Sequence, residues 1–161
     1  MAKLNFPKIT IIRKCVPAIN NVNLRILIMI LVDTSVLIDF LSGKNSLYSK
    51  VLNQLINDKI HFGINSFIYQ ELLQGVKTEK QFEILKRYLS PQIFYGLKDD
   101  KISYEKAAEI YFKCRRHGLT VRSTIDCLIA QTAIENDLYL FHNDKDFDVI
   151  SQITALKIYR Y

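Results

Sequence analysis

Short apolar runs recur along this chain, each closed by polar residues and separated from the next by a stretch of helical periodicity. "ILVD" (30–33), "IHFGI" (60–64), "IFYGL" (93–97), "LYLFHND" (138–144) and "KIYRY" (157–161) are the runs in question. They are too short for buried helices and suit strands, and strands alternating with helices argue for an α/β domain with a mostly parallel sheet. Ligands in such domains meet the carboxyl ends of the strands, above all where the strand order reverses. Asp33 and Asp144, which both end apolar runs, are therefore expected on one rim.

The intervening stretches read as helices. "SVLIDFLSG" gives a turn or two ending near Gly43. "SLYSKVLNQLINDK" (46–59) carries Leu47, Val51, Leu52 and Leu55 on one stripe behind a Ser46 cap. "NSFIYQELLQG" (65–75) starts on capping residues and stops at Gly75, and Lys77 to Leu89 is expected to turn Phe82, Leu85 and Leu89 inward. "SYEKAAEIYFKCRRHG" (103–118) places Ala107, Ala108, Tyr111, Phe112 and Arg115 at helical spacings. "STIDCLIAQTAIEND" (123–137) is the cleanest helix, with Ile125, Leu128, Ile129, Thr132 and Ala133 as its buried face.

With 161 residues and 49% hydrophobic content, one domain with an ordinary core is expected. The net charge of +6 suggests nucleic-acid binding until it is located. Residues 1–28 carry Lys3, Lys8, Arg13, Lys14 and Arg25 without an acid, so the remainder holds 17 basic against 16 acidic residues, a net charge of +1. Residues 1–28 read as a basic N-terminal extension, flexible or belonging to a mis-assigned start, and 29–161 as the domain. The apolar run 26–32 is short, is ended by Asp33 and has no small-residue cleavage site after it, which disfavours a signal peptide. It also falls well short of the ~20 residues of a membrane helix. Cys15, Cys114 and Cys127 form no CxxC pattern, so neither a disulfide scaffold nor a structural zinc site is suggested, and reduced thiols are the expectation. The five glycines stand apart, which argues against a phosphate-binding glycine loop.

Acids beside apolar structure carry the chemistry. Asp33 follows the first strand, Glu71 lies on a short helix, Asp126 is in the first turn of the long helix, and Asp144 follows a later strand. Each has a local alternative: Asp33 can cap the next helix, and Ser123-x-x-Asp126 resembles a capping box. Taken together, carboxylates converging on one sheet edge would repel and raise one another's pKa values, a conflict that a hard divalent cation resolves. Mg²⁺ or Mn²⁺ at such a site points to phosphodiester hydrolysis. Asp146 is the alternative to Asp144, and Asp39 reads as a salt-bridging acid of a helix face. Thr34 and Ser35 are candidates to orient the carboxylates by hydrogen bonds.

"MILVDTSVLIDFLSG" (29–43), "SFIYQELLQG" (66–75), "GLTVRSTIDCLIAQTA" (118–133) and "LYLFHNDKDFDVI" (138–150) resemble, in order and spacing, the successive signatures of PIN-domain ribonucleases, specifically VapC-type toxins of bacterial toxin-antitoxin pairs. The resemblance implies a three-layer α/β/α fold around a short, mostly parallel sheet, and assigns Asp33, Glu71, Asp126 and Asp144 to metal binding and catalysis. It implies Mg²⁺- or Mn²⁺-dependent endonucleolytic cleavage of RNA, often tRNA or rRNA, in the cytoplasm. It further implies inhibition by a cognate antitoxin from an adjacent gene, and a homodimer. A PIN-domain nuclease of RNA processing or quality control, and a catalytically inactive interaction module, are the competing readings. Whether one or two ions take part is left open.

Arg116 and Arg122 flank the turn into the long helix and are candidates to hold substrate phosphate, against an alternative role as solvated helix-end charge. His61, His117 and His142 make no metal motif; packing or hydrogen bonding is the expected role of His142. Cys127 is expected in the core. Most aromatic residues fall at core spacings, with Tyr48, Phe67 and Tyr69 expected to cover a helical interface.

Overall fold

The computed structural model describes residues 29–161. The basic extension, and with it Cys15, lies outside the described residues. The chain runs β1 (Ile30–Val32), α1 (Thr34–Leu41), α2 (Leu47–Asn57), β2 (Phe62–Ile64), α3 (Ser66–Gln74), α4 (Glu79–Leu89), β3 (Ile93–Phe94), α5 (Asp100–Arg116), α6 (Thr124–Glu135), β4 (Tyr139–Phe141), α7 (Lys145–Ser151) and β5 (Lys157–Ile158). The five strands form one parallel sheet in the order β3-β2-β1-β4-β5.

That order sets the layers. The chain steps from β1 to β2 to β3 in one direction, then crosses back to β4 and β5 on the far side of β1. Right-handed crossovers therefore put α1 to α4 on one face and α5 to α7 on the other. The packing agrees: α1 contacts α2 and α3, whereas α5 contacts α6 and α7. The result is the expected three-layer α/β/α fold. Because helices cover both faces, Ile30, Leu31 and Val32 are all fully buried, which is why the strand reads as an unbroken apolar run and not as an alternation. At Gly63 a Cβ would stand 2.5 Å from the Ile93 carbonyl oxygen, so the β2 to β3 approach requires glycine there.

Helix starts follow side-chain chemistry. Asp33, Ser46, Asn65, Thr78, Asp99, Ser123 and Asp144 cap the seven described helices, each accepting a bond from a backbone N–H of the first turn. Gly118, at φ 70°, ends α5 in the left-handed conformation that glycine tolerates.

Several inward-facing assignments need correction. Leu47 is 59% exposed because it opens α2, and the buried stripe is Val51, Leu52, Leu55 and Ile56. Phe82 is exposed while Leu85 and Leu89 are buried. On α5, Ala108 and Phe112 lie on the solvent side. The buried positions are Ser103, Ala107, Ile110 and Cys114, a stripe of period 3.5 that places polar Ser103 inside. Cys127 is buried as expected, and the buried face of α6 also includes Ala130 and Gln131, whereas Ile125 and Leu128 are half-buried. Tyr48, Phe67 and Tyr69 pack partly buried against the core. No described helix is long and apolar enough to cross a membrane.

Candidate active site

The strand order reverses between β1 and β4, and the acids gather at that point. The Asp33 N–H donates to the Phe141 carbonyl (2.9 Å), carrying the β1–β4 pairing one residue past Val32. Beyond it, the Asn143 N–H donates to Ser35 Oγ (2.9 Å), and Ser35 Oγ donates in turn to Asp33 Oδ2 (2.5 Å), which also accepts from the Ser35 N–H (2.9 Å). One hydroxyl thus ties the two strand-end loops together and aims the Asp33 carboxylate. Thr34 Oγ1 donates to Glu71 Oε2 (2.5 Å), which draws α3 against the start of α1. Asn65, the buried cap of α3, donates from Nδ2 to Thr132 Oγ1 (3.2 Å) and so connects α3 to α6.

Asp126 faces this group from the first turn of α6. Ser123 caps the helix through the Ile125 N–H and not through a capping box with Asp126. Among the described residues, the Asp126 carboxylate has no hydrogen-bond donor. Burial, followed by the charges of Asp33, Asp144, Asp146 and Glu71, raises its pKa to about 7. Asp33 is the more deeply buried but rises only to about 6. Burial lifts it and the Glu71 charge adds to the lift, while the bonds from Ser35 and the Thr34 backbone oppose both. Four acids from three separate segments therefore act electrostatically on Asp126.

The far wall is compensated. Asp144 caps α7, and Asp146 is almost wholly buried in the first turn. Arg122 spans both: its backbone N–H donates to Asp146 Oδ2 (2.8 Å), Nε to Asp146 Oδ1 (3.2 Å), and a terminal nitrogen to Asp144 Oδ1 (3.0 Å). Those bonds and charges raise the arginine's already high pKa. This clamp has no local sequence signature, since Arg122 stands 22 and 24 residues from its partners. Arg116 instead places its guanidinium over Phe112, 5.8 Å from the ring centre, on the outer side of α5. Asp39 pairs with Lys44 (3.0 Å) as expected of a helix-face acid. His142 accepts the Asp144 N–H at Nδ1 (3.2 Å) and packs on Phe147, and burial lowers its pKa. Cys127 and Cys114 are buried free thiols, and burial pushes Cys127 up to about 12, which leaves it inert as a nucleophile.

An α/β/α sandwich with acids collected at its switch point is the architecture of a PIN domain, and the PIN-domain family profile matches residues 30–153. The chain is 35% identical over 130 residues to ribonuclease VapC11 of Mycobacterium tuberculosis and to VapC ribonuclease Mb1587 of Mycobacterium bovis, covering 80% of this chain and 96% of each relative. Among solved structures it is similar to VapBC2 from Rickettsia felis bound to a promoter DNA fragment, with TM-score 0.64, 21% identity, and 83% of this chain and 98% of that one covered. It is also similar to VapBC-1 from nontypeable Haemophilus influenzae, with TM-score 0.62, 16% identity, and 81% and 96% covered. These structural likenesses speak to the fold. The chain belongs to the PIN-domain family, in its VapC-type branch.

The donor set suits a hard divalent cation in its chemistry: carboxylate oxygens, two of them in want of positive charge. Among the described residues, however, no three His, Cys, Asp or Glu side chains stand together as a group able to hold a metal ion. The hydrogen bonds explain this spacing in part. Thr34 holds Glu71, Ser35 holds Asp33, and Arg122 draws Asp144 and Asp146 toward itself.

Proposed function

We propose that this protein is a Mg²⁺- or Mn²⁺-dependent endoribonuclease acting in the cytoplasm as the toxin of a type II toxin-antitoxin pair. The observation that carries the reading is the electrostatic convergence of Asp33, Glu71, Asp144 and Asp146 on Asp126, with two carboxylates raised to about 6 and 7 where a cation would relieve them. Asp33, Glu71 and Asp126 would hold the cation, directly or through water. When bound, the cation supplies Lewis-acid stabilisation of the charge growing on a phosphoryl oxygen and lowers the pKa of a bound water. Asp144 completes a second ion position or orients the attacking water, and Asp146, locked by Arg122, fixes Asp144 from behind. Thr34 and Ser35 hold the inner carboxylates in orientation. Arg122, still 69% exposed along its side chain, offers positive charge to the RNA backbone, and Arg116, over Phe112 on the outer side of α5, offers it away from the acids. The relatives named ribonuclease support an RNA substrate, and the solved VapBC structures support an antitoxin partner; in this reading the substrate is a tRNA or rRNA, the antitoxin comes from an adjacent gene, and the active unit is a homodimer.

Purified protein incubated with total RNA is expected to yield discrete fragments with Mg²⁺ or Mn²⁺ and none after chelation. Asp33→Asn and Asp126→Asn are expected to abolish the fragments, and metal-independent or variant-independent cutting would reject the assignment. Expression is expected to arrest growth, and co-expression of the neighbouring gene to relieve it. Cleavage without growth arrest would point to an RNA-processing nuclease instead.

A further inference from the structure

The end of α5 stands apart from the rest of the domain in charge. Residues 110–125 carry Lys113, Arg115, Arg116 and Arg122 and no acid, whereas the remainder of 29–161 holds 13 basic against 16 acidic residues. Two other cations of this helix are matched by an acid four residues away, Lys101 by Glu105 (3.8 Å) and Lys113 by Glu109 (3.2 Å). Arg115 and Arg116 are exposed, and neither has a carboxylate partner among the described residues. Each lays its guanidinium over the ring four residues back instead. Arg115 sits over Tyr111, 5.9 Å from the ring centre, and Arg116 over Phe112, at 5.8 Å. A guanidinium stacked in this way keeps its fork of N–H donors free for an anion.

The helix dipole accounts for cations at a C-terminus. It does not account for Phe112, a phenyl ring left 59% exposed beneath one of them. An open groove of about 540 Å³ adjoins this ring, lined by Glu109, Phe112, Lys113, Arg116 and His117, and its one acid is already paired. Past Gly118 the chain reaches Arg122, which bonds Asp144 and Asp146, so the basic segment leads along the chain from α5 to the acid rim. Free guanidinium forks beside a bare ring match the phosphates and an unstacked base of single-stranded RNA. A carboxylate partner would engage the forks but not the ring.

We propose that the last turn of α5 is an RNA-docking site separate from the acid cluster, holding a single-stranded stretch of the substrate away from the cut, with Arg115 and Arg116 on its phosphates and an unpaired base against Phe112. The proposal rests on the ribonuclease reading above. The site sets how tightly an RNA is held and takes no part in breaking the bond.

The test uses the full chain and a set of single-stranded RNAs that share one mapped cut and are extended stepwise on either side of it. Wild-type kcat/KM is expected to rise once an extension on one side reaches α5, with KM carrying the rise. The double variant Arg115→Gln, Arg116→Gln should lose that rise, falling roughly tenfold below the wild type on the longest RNA and matching it on the shortest. Its plot of log kcat/KM against log salt should be shallower by about 1.4, the value for two lost phosphate contacts on a single strand. Phe112→Ala should also cost roughly tenfold on the longest RNA, as the loss of one stacking partner, with the salt slope kept. Arg115→Lys with Arg116→Lys, which retains the charges, should recover the slope. An unchanged Tm identifies variants whose fold is intact. Wild-type kinetics in such variants at every RNA length would overturn the docking site while leaving the ribonuclease standing, as would an equal loss at all lengths. Loss of antitoxin affinity with unaltered RNA kinetics would assign the turn to the protein partner and also overturn it. Absence of RNA cutting by the wild type under Mg²⁺ and Mn²⁺ overturns both readings.

Discussion

Helix α6 carries an acid in its first turn and another in its last, and the two behave in opposite ways. The helix dipole favours negative charge at the N-terminus and disfavours it at the C-terminus. Asp126 should therefore ionise easily and Glu135 reluctantly. The reverse holds: Asp126 is raised to about 7, whereas Glu135 is lowered. Burial would raise Glu135 too, but the Lys98 N–H (3.0 Å), Gln131 Nε2 (2.7 Å) and Ser103 Oγ (3.0 Å) all donate to it, and the Lys106 charge helps. Among the described residues Asp126 has no donor, and it faces four acids. Immediate partners outweigh the dipole at both ends. One end is finished as structure; the other retains unbalanced negative charge for something to bind.

The largest effect expected from this contrast is on catalysis. Asp126→Asn should reduce RNA cleavage by roughly 100-fold or more, since even residues that merely support metal ligands are worth about 10–100-fold. Glu135→Gln should leave the rate unchanged. Equal losses in both variants, measured by single-turnover cleavage, would break the contrast.

Next is the pH dependence of stability at Asp33. Its folded pKa, about 6, stands above the ordinary 3.8, so the fold favours the neutral acid. The stabilising contribution is fully present below pH 3.8 and is lost as pH rises through about 6. Asp33→Asn should therefore gain stability over the wild type as pH rises from 5 to 8, approaching ~3 kcal/mol. Thermal unfolding across that range checks the sign, and Mg²⁺ should narrow the gap by stabilising only the wild type. A gap that is independent of pH would mean that Asp33 is not strained by its charge.

A smaller effect is expected at the compensated wall. Arg122→Gln keeps the backbone bond to Asp146 but removes the charged one from a buried carboxylate, which should lower stability measurably in denaturant unfolding. Cleavage should fall as well, because Asp144 loses the same partner. A variant of full stability and activity would show that the clamp is dispensable.

The sequence made some of this legible and hid the rest for identifiable reasons. β1 was readable because burial on both faces leaves it wholly apolar, and the starts at Ser46, Asn65 and Ser123 because capping is written in the residue before the helix, whereas α5 begins at Asp100 behind an Asp99 cap, three residues before the expected Ser103, and α7 was not read as a helix. The shared rim of Asp33 and Asp144 followed from parallel topology alone. Positions such as Leu47 and Phe82 misled because periodicity shows that a stripe exists without fixing its angle toward the sheet, and polar Ser103 occupies an inside position by bonding Glu135 and the Asp99 N–H. The Arg122 clamp and the Asn65–Thr132 link join residues far apart in the chain, so no local spacing announces them.

The smallest effect tests the finished end of α6. Glu135 has a depressed pKa, so its contribution is present above the ordinary 4.5 and is lost as pH falls through the lowered folded value. Glu135→Gln should therefore cost about 1 kcal/mol at pH 7, the scale of a hydrogen bond to a partly exposed acid, and less as the solution is acidified. Its pH trend is opposite in consequence to that of Asp33→Asn, which becomes more favourable relative to the wild type as pH rises. Unfolding curves of the two variants at pH 4, 6 and 8 should diverge with increasing pH. Parallel curves would mean that the two networks differ in geometry but not in how they bear charge, which would remove the electrostatic basis for a cation at the rim.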